Sequence, residues 1–199
     1  MYTVIGTPQT RTMRVIWMLE ELGEPYTLDR RPPRHPAVRA LNPSGKVPVL
    51  VDDGVPIFDS VAICQYLADK HGRMTFKAGS IERAHQDSFT QFAVDEFEGP
   101  LWFAAKHSFV LPEEYRVTDV KRACRYDFDR AIAVFSQRLQ DRAYVMGESF
   151  TVPDLILGNC LAWALAIKWS LPEGNVRDYY DRICSRPAHQ RAMALRAQA

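Results

Sequence analysis

The sequence predicts an α/β segment followed by an all-α segment. Three observations carry that expectation. Short apolar runs separated by turn residues are confined to residues 1–76, where they alternate with helical patterns. From residue 81 onward the strand signals stop and helical stripes follow one another. The composition is that of an ordinary globular chain: 199 residues, 47% apolar and 25% charged.

In the first segment, residues 2–5 form an apolar run closed by Gly6-Thr7-Pro8. Residues 11–22 place Val15, Met18, Leu19 and Leu22 on one helical face, and Gly23 stands where a left-handed C-cap is wanted. Residues 26–29 suit a second strand, and the polar, Pro-rich stretch 30–36 leads to a short helix at 37–41. The runs 47–51 and 55–58 flank Asp52-Asp53-Gly54 and read as a β-hairpin. A helix over 60–71 follows, ended by Gly72. The order is βαβαββα, and its hairpin makes the sheet mixed.

In the second segment, residues 81–111 read as a long helix bent or broken at Gly99-Pro100. Residues 118–140 put Cys124, Phe128, Ala131, Ile132, Phe135 and Leu139 on one stripe. Residues 152–169 are apolar nearly all round, as a central buried helix should be. Its start carries Thr151 at the N-cap and Asp154 three residues on, flanked by Phe150 and Leu155 as a hydrophobic staple, a structural signal. Helices over 176–185 and 188–197 close the chain. The expected division is 1–76 and 81–199, with 77–80 as linker.

The net charge is +1, with 9 basic and 8 acidic groups in residues 1–76 and 16 of each in 77–199. No strong field draws nucleic acid or an anionic membrane, so any partner must be caught by a local site. The longest apolar run, residues 160–167, is too short to span a bilayer, and the N-terminus has no signal-peptide pattern. Cysteines at 64, 124, 160 and 184 match no metal or CxxC spacing, which fits reduced thiols in a cytoplasmic protein. Histidines 35, 71, 85, 107 and 189 show no metal-like pairing, and no GxSxG, HExxH, P-loop or GxGxxG is present. Any nucleophile is therefore expected to arrive with a cofactor.

Three places in the first segment suit such a cofactor. Thr10 and Arg11 open the first helix, where a hydroxyl either caps the helix or meets an anion at its positive end. Pro48 begins a strand, which suits an edge, a bulge or a cis bond that leaves the Val47 backbone free for an extended peptide. Asp59-Ser60 open another helix. There Ser60 is either a plain N-cap or, with the helix amides, a carboxylate site, while Asp59 suits an ammonium.

The stretches TRTMRVIWMLEELGEPY (10–26), NPSGKVPVLVDDG (42–54), IFDSVAICQYLADKHG (57–72), FTVPDLILGNCLAW (150–163) and YYDRICSRPAHQRA (179–192) together resemble the glutathione S-transferase family over essentially the whole chain. The resemblance implies a thioredoxin-like N-terminal subdomain that binds glutathione, an all-helical C-terminal subdomain and a homodimer. It implies that Asp59 and Ser60 hold the γ-glutamyl end of glutathione and that Val47, before a cis Pro48, pairs with its cysteine. Lys46 and His35 would meet the glycine carboxylate. Thr10 would face the thiol sulfur, with Arg11 adding positive potential, and no metal takes part. Trp102, Phe103 and His107 would line the pocket for a small apolar electrophile. The chain departs from the serine-type pattern in carrying Thr at position 10. It has neither the tyrosine of the tyrosine-type classes near Ile5-Gly6 nor a cysteine at position 10, and no SSCxxR stretch. Alternatives of a different class are a non-catalytic glutathione-binding or regulatory protein, or a glutathione-dependent reductase, isomerase or dehalogenase.

Overall fold

The computed structural model describes residues 1–197. The chain forms two compact units. The first comprises residues 1–77 together with 184–197, and the second residues 78–183. The division expected from the sequence kept the last helix with the second segment. Here the final helix belongs to the first unit.

That unit holds β1 (Tyr2–Ile5), α1 (Thr12–Leu22), β2 (Tyr26–Asp29), α2 (Pro36–Leu41), β3 (Val49–Asp52), β4 (Val55–Phe58) and α3 (Ser60–His71). The four strands lie in the order β2-β1-β3-β4. β1 runs parallel to β2 and antiparallel to β3, and β3 and β4 form the hairpin read from the sequence. Asp53 and Gly54 turn it with φ of 48° and 81°, the two positive values that a tight hairpin turn demands. The strand expected over 47–51 begins only at Val49, because Pro48 has no N–H to give the ladder.

α1 is buried on nearly every side: Thr12, Met13, Arg14, Val15, Ile16, Trp17, Met18, Leu19 and Leu22 are all covered. One stripe of four apolar residues does not cover a whole helix. The rest is covered by α3 and by the helix α9 (Pro187–Ala197), both packed along α1. Arg186 grips Glu21 with two bonds of 2.6 and 2.7 Å, and Arg191 donates to Glu20 Oε2 at 2.7 Å. His189 packs edge-on against Trp17, ring centroids 4.5 Å apart, and its Nδ1–H donates to the Cys184 carbonyl at 3.0 Å. Tyr66 and Lys70 of α3 both bond the Asp52 carboxylate at the end of β3.

The second unit holds α4 (Ile81–Phe92), α5 (Gly99–Ala105), α6 (Val120–Leu139), α7 (Val152–Ala166) and α8 (Asn175–Cys184, whose last residue falls in the first unit). The break expected at Gly99-Pro100 takes the form of a π-helical stretch, Ala93–Glu98, where the Gly99 N–H reaches back to the Val94 carbonyl. Pro100 has no N–H and its ring crowds the carbonyl four residues before it, so a wider turn relieves the mismatch. A second π-helical stretch, Lys106–Val110, follows α5. Phe97 sits at the centre of the core and meets Phe92, Phe128 and Phe135 edge-on at 5.5, 5.5 and 5.6 Å. α7 is the central buried helix, although it ends at Ala166 rather than 169.

The start of α7 is pinned by Asp154. Its Oδ2 accepts from the Thr151 N–H at 2.8 Å and the Thr151 hydroxyl at 2.9 Å. Its Oδ1 accepts from the Val145 N–H and the Tyr179 hydroxyl, both at 2.9 Å. Burial pushes this carboxyl up to about 6, against the pull of those same donors. Its role is structural, joining the 145–151 loop, α7 and α8.

Asp154→Ala takes the acceptor away from four buried donors and is expected to lower the unfolding free energy by roughly 3–5 kcal/mol in chemical denaturation, where a loss under about 1 kcal/mol would contradict the assignment. Burial lowers the pKa of His189 below its ordinary 6.5, so the unfolded chain binds the proton first as pH falls. Its contribution is complete above pH 6.5 and is lost as pH drops through the lower folded value. Melting temperatures measured from neutral pH downward should decline less steeply in His189→Asn than in the wild type.

Candidate functional site

The first unit gathers its polar chemistry around the start of α1. β1 ends at Ile5, and Gly6 carries the chain across with φ of 140°. A Cβ at Gly6 would lie 2.1 Å from Thr12 Oγ1 and 2.9 Å from the Val47 Cβ, so only glycine lets this turn close. The turn is stitched by Thr10 N–H to the Thr7 carbonyl at 3.0 Å, and the Met13 N–H returns to the Thr10 carbonyl at 3.1 Å. Thr10 Oγ1 donates to the Thr7 carbonyl at 2.7 Å. It also lies 2.9 Å from Thr12 Oγ1 and accepts from the Thr12 N–H at 3.2 Å. Arg11 occupies the N-cap position, half-buried and with helical backbone, and makes no cap bond with its side chain. Thr10 therefore lies one residue outside the N-cap that the helix pattern suggested for it.

Beside this turn lies the approach to β3. The ladder between β1 and β3 ends at the pair Ile5–Val49, so Val47 stands two residues beyond it, ahead of the cis bond to Pro48. The loop before it is shaped by buried Asn42. Its Oδ1 accepts from the N–H and hydroxyl of Ser44, and its Nδ2 donates to the Lys46 carbonyl at 2.9 Å. The Arg34 N–H donates to the Gly45 carbonyl at 2.7 Å, which brings the His35 and Lys46 loops to one edge. Lys46 is exposed. His35 caps α2: its Nδ1 accepts from the Ala37 N–H at 3.2 Å, which leaves the ring proton on Nε2.

The third element is the start of α3. Asp59, not Ser60, is the N-cap, and its Oδ1 accepts from the N–H groups of Val61 at 2.9 Å and Ala62 at 3.1 Å. This corrects one expectation, that the first-turn amides as a group would be open to a carboxylate: two are taken by Asp59. The Ser60 N–H and hydroxyl hydrogen have no acceptor among the described residues. Asp59 holds φ of 74° with ψ of 122°, a conformation that costs a non-glycine residue of the order of 1–3 kcal/mol. The cap bonds and the β4–α3 junction hold it there.

Ser60 is buried because α1 sits over it. The Arg14 guanidinium, fully buried, donates from Nη1 to Ser60 Oγ at 3.2 Å, and the Arg14 carbonyl accepts from the Cys64 thiol at 3.6 Å. A buried cation is costly unless its N–H groups are met. The arginine that starts the first full turn after Thr10 thus fixes the hydroxyl that starts α3. Cys64 is no competing nucleophile, since burial pushes its thiol up to about 12.

The sequence reading missed Thr12 and Arg14. A signal for Arg14 was present: it stands four residues before Met18, on the stripe otherwise filled by apolar side chains. Thr12 gave only its spacing of two from Thr10.

The second unit carries the remaining expected residues. Phe103 is exposed, its ring centroid 5.9 Å from that of His107, with Lys106 Nζ 4.7 Å above the Phe103 ring. His107 Nδ1 accepts from the Val117 N–H at 3.0 Å. Trp102 is half-buried on the same helix. No group of metal-ligating side chains comes together among the described residues, and no described helix is long and apolar enough to cross a membrane.

Comparison with known proteins agrees with the two-unit fold. Residues 10–70 match the glutathione S-transferase N-terminal domain and residues 100–187 the glutathione S-transferase C-terminal domain. The glutathione S-transferase GstA of Escherichia coli O157:H7 is 31% identical over 160 residues, which span 78% of this chain and 76% of that protein. Among solved structures, the theta class glutathione S-transferase of Xanthomonas axonopodis pv. citri with glutathione bound superposes with a TM-score of 0.79 at 26% identity over 96% of each chain. A glutathione transferase from Methylococcus capsulatus shares the fold over 100% of both chains, with a TM-score of 0.85 at 23% identity. With a four-stranded thioredoxin-like unit, an all-helical unit and both domain matches in order, the chain belongs to the glutathione S-transferase family.

Proposed function

We propose that this chain is a glutathione transferase that binds glutathione in its first unit and activates the thiol for attack on small apolar electrophiles. The observation that carries the reading is the Arg14–Ser60 bond, which holds two helix starts in fixed relation, one bearing Thr10 and the other Asp59-Ser60. Glutathione has two carboxylates, an ammonium and a thiol, and each has a counterpart here. The Ser60 N–H and hydroxyl suit the γ-glutamyl carboxylate, and Asp59 Oδ2, left over from the cap, suits the ammonium. The Val47 backbone, outside the ladder, suits the peptide groups flanking the tripeptide's cysteine. Lys46 and the Nε2–H of His35 suit the glycine carboxylate. Support also comes from the glutathione-bound Xanthomonas relative.

Thr10 then meets the sulfur. A free thiol ionises near pH ~8.5, so little thiolate exists at neutral pH. A hydroxyl donor at a helix start, with Arg11 beside it, favours the charged form, and the thiol proton passes to solvent. The thiolate forms a carbon–sulfur bond with the electrophile. A leaving group departs with its electron pair, or a polarised double bond takes the pair instead. No protein nucleophile is needed, because the cosubstrate supplies it. Trp102, Phe103 and His107 are the residues of the second unit assigned to the electrophile. The protein is taken to act in the cytoplasm as a homodimer, in keeping with its four free cysteines and its family.

Two substitutions separate binding from chemistry. Ser60→Ala should weaken glutathione binding about tenfold by calorimetry, the loss expected for a hydrogen bond to a charged group, with a smaller change in kcat. Thr10→Val should lower kcat by about ten- to a hundredfold while the glutathione Kd stays within about threefold. Unchanged turnover in Thr10→Val would remove the assigned role. A wild-type protein that fails to bind glutathione at millimolar concentration would favour a non-catalytic member of the family.

A further inference from the structure

The hydroxyl of Thr10 is hemmed in by three partners, and the chemistry of each fixes its direction. The Thr7 carbonyl at 2.7 Å only accepts, so it takes the single hydrogen of Thr10. The Thr12 N–H at 3.2 Å only donates, so it occupies one lone pair of Thr10 Oγ1. The Thr12 hydroxyl lies 2.9 Å away and is fully buried, with no other partner among the described residues. With no anion at the helix start the Thr10 hydrogen rests on the Thr7 carbonyl, so the Thr12 hydroxyl is the donor of that contact and fills the second lone pair. The Thr10 oxygen can accept nothing more. Its hydrogen is its one movable part, shared between the Thr7 carbonyl and whatever anion arrives at the helix start.

We propose that Thr12 is a positioning residue of the active site: its buried hydroxyl and N–H fill both lone pairs of Thr10, so that Thr10 meets the cosubstrate sulfur only as a donor. This rests on the assignment of Thr10 to the sulfur. A thiolate accepts a hydrogen bond, whereas a protonated thiol can donate one. With both lone pairs filled, Thr10 stabilises the thiolate and gives the S–H nothing to donate to. Donation from Thr12 also polarises the Thr10 O–H, because hydrogen bonds in a chain reinforce one another. The fit is built into the turn: a Cβ at Gly6 would collide with Thr12 Oγ1 at 2.1 Å, so the glycine leaves the space this hydroxyl occupies. Thr12 therefore acts through Thr10 and touches no substrate itself.

Thr12→Val keeps the β-branched shape and removes the hydroxyl, which frees one lone pair of Thr10 to accept from S–H. The test is the pH dependence of kcat/KM for conjugation of glutathione to chlorodinitrobenzene in the wild type, Thr12→Val, Thr12→Ser, Thr10→Val and the double variant. Thr12→Val should move the midpoint to higher pH and lower kcat at neutral pH by about three- to tenfold, with the glutathione KM within about twofold. Thr12→Ser should restore the wild-type profile, and the double variant should be no worse than Thr10→Val alone. A Thr12→Val profile that coincides with the wild type, or a Thr12→Ser variant as impaired as Thr12→Val, overturns the role of Thr12. If instead Thr10→Val itself leaves the profile unmoved, the assignment of Thr10 to the sulfur fails and takes this inference with it.

Discussion

The first unit depends on one buried cation. Arg14 lies on the inner side of α1, fully covered, and spends a guanidinium N–H on the Ser60 hydroxyl at 3.2 Å. Burying that charge is costly unless its N–H groups are met, and the Ser60 hydroxyl meets one of them. An apolar residue there would pack α1 against α3 equally well without fixing where Ser60 turns its oxygen. The cation converts a generic helix–helix contact into a set position for two helix starts. Neither start alone is a ligand site, since a helix N-terminus with one hydroxyl occurs on many surfaces. On the proposed reading, their fixed relation gives glutathione several points of attachment.

Backbone constraints complete the site without adding charge. Gly6 permits the turn after β1 to close against Thr12 and Val47, and Asp59 holds a costly φ so that α3 begins where Ser60 faces Arg14. The strain at Asp59 is balanced by two amide bonds to its own side chain. On the proposed reading, these features let a chain of net charge +1 hold a ligand that is itself charged. The charges that matter on that reading are few and local, and Asp59 among them is oriented by the first amides of α3.

Much of this was legible in the sequence. α3 runs from Ser60 to His71 as its pattern and Gly72 foretold, and Asp154 caps α7 as the spacing from Thr151 required. Local rules suffice there, because a cap or a period is written within a few residues. The hairpin around Asp53-Gly54 is equally local. What escaped the reading is long-range. Ser60 owes its position to a side chain 46 residues earlier, and α9 joins the first unit through contacts with α1 far back in the chain. A helix such as α9, with no strong apolar stripe, carries no mark of which unit will cover it. The π-helical stretch before Gly99-Pro100 was readable only as a disturbance, since a proline announces a broken bond but not how the helix repairs it.

The proposed function turns on the thiol. Arg14, Ser60, Asp59 and the Thr10 turn are expected to hold glutathione so that its sulfur sits at the start of α1 and gives up its proton near neutral pH. The most direct test is the ultraviolet absorbance of the thiolate of glutathione bound to the wild-type protein, titrated against pH without any electrophile. The expected midpoint lies clearly below the ~8.5 of a free thiol. A bound thiol that titrates as it does in water would contradict the role given to this helix start.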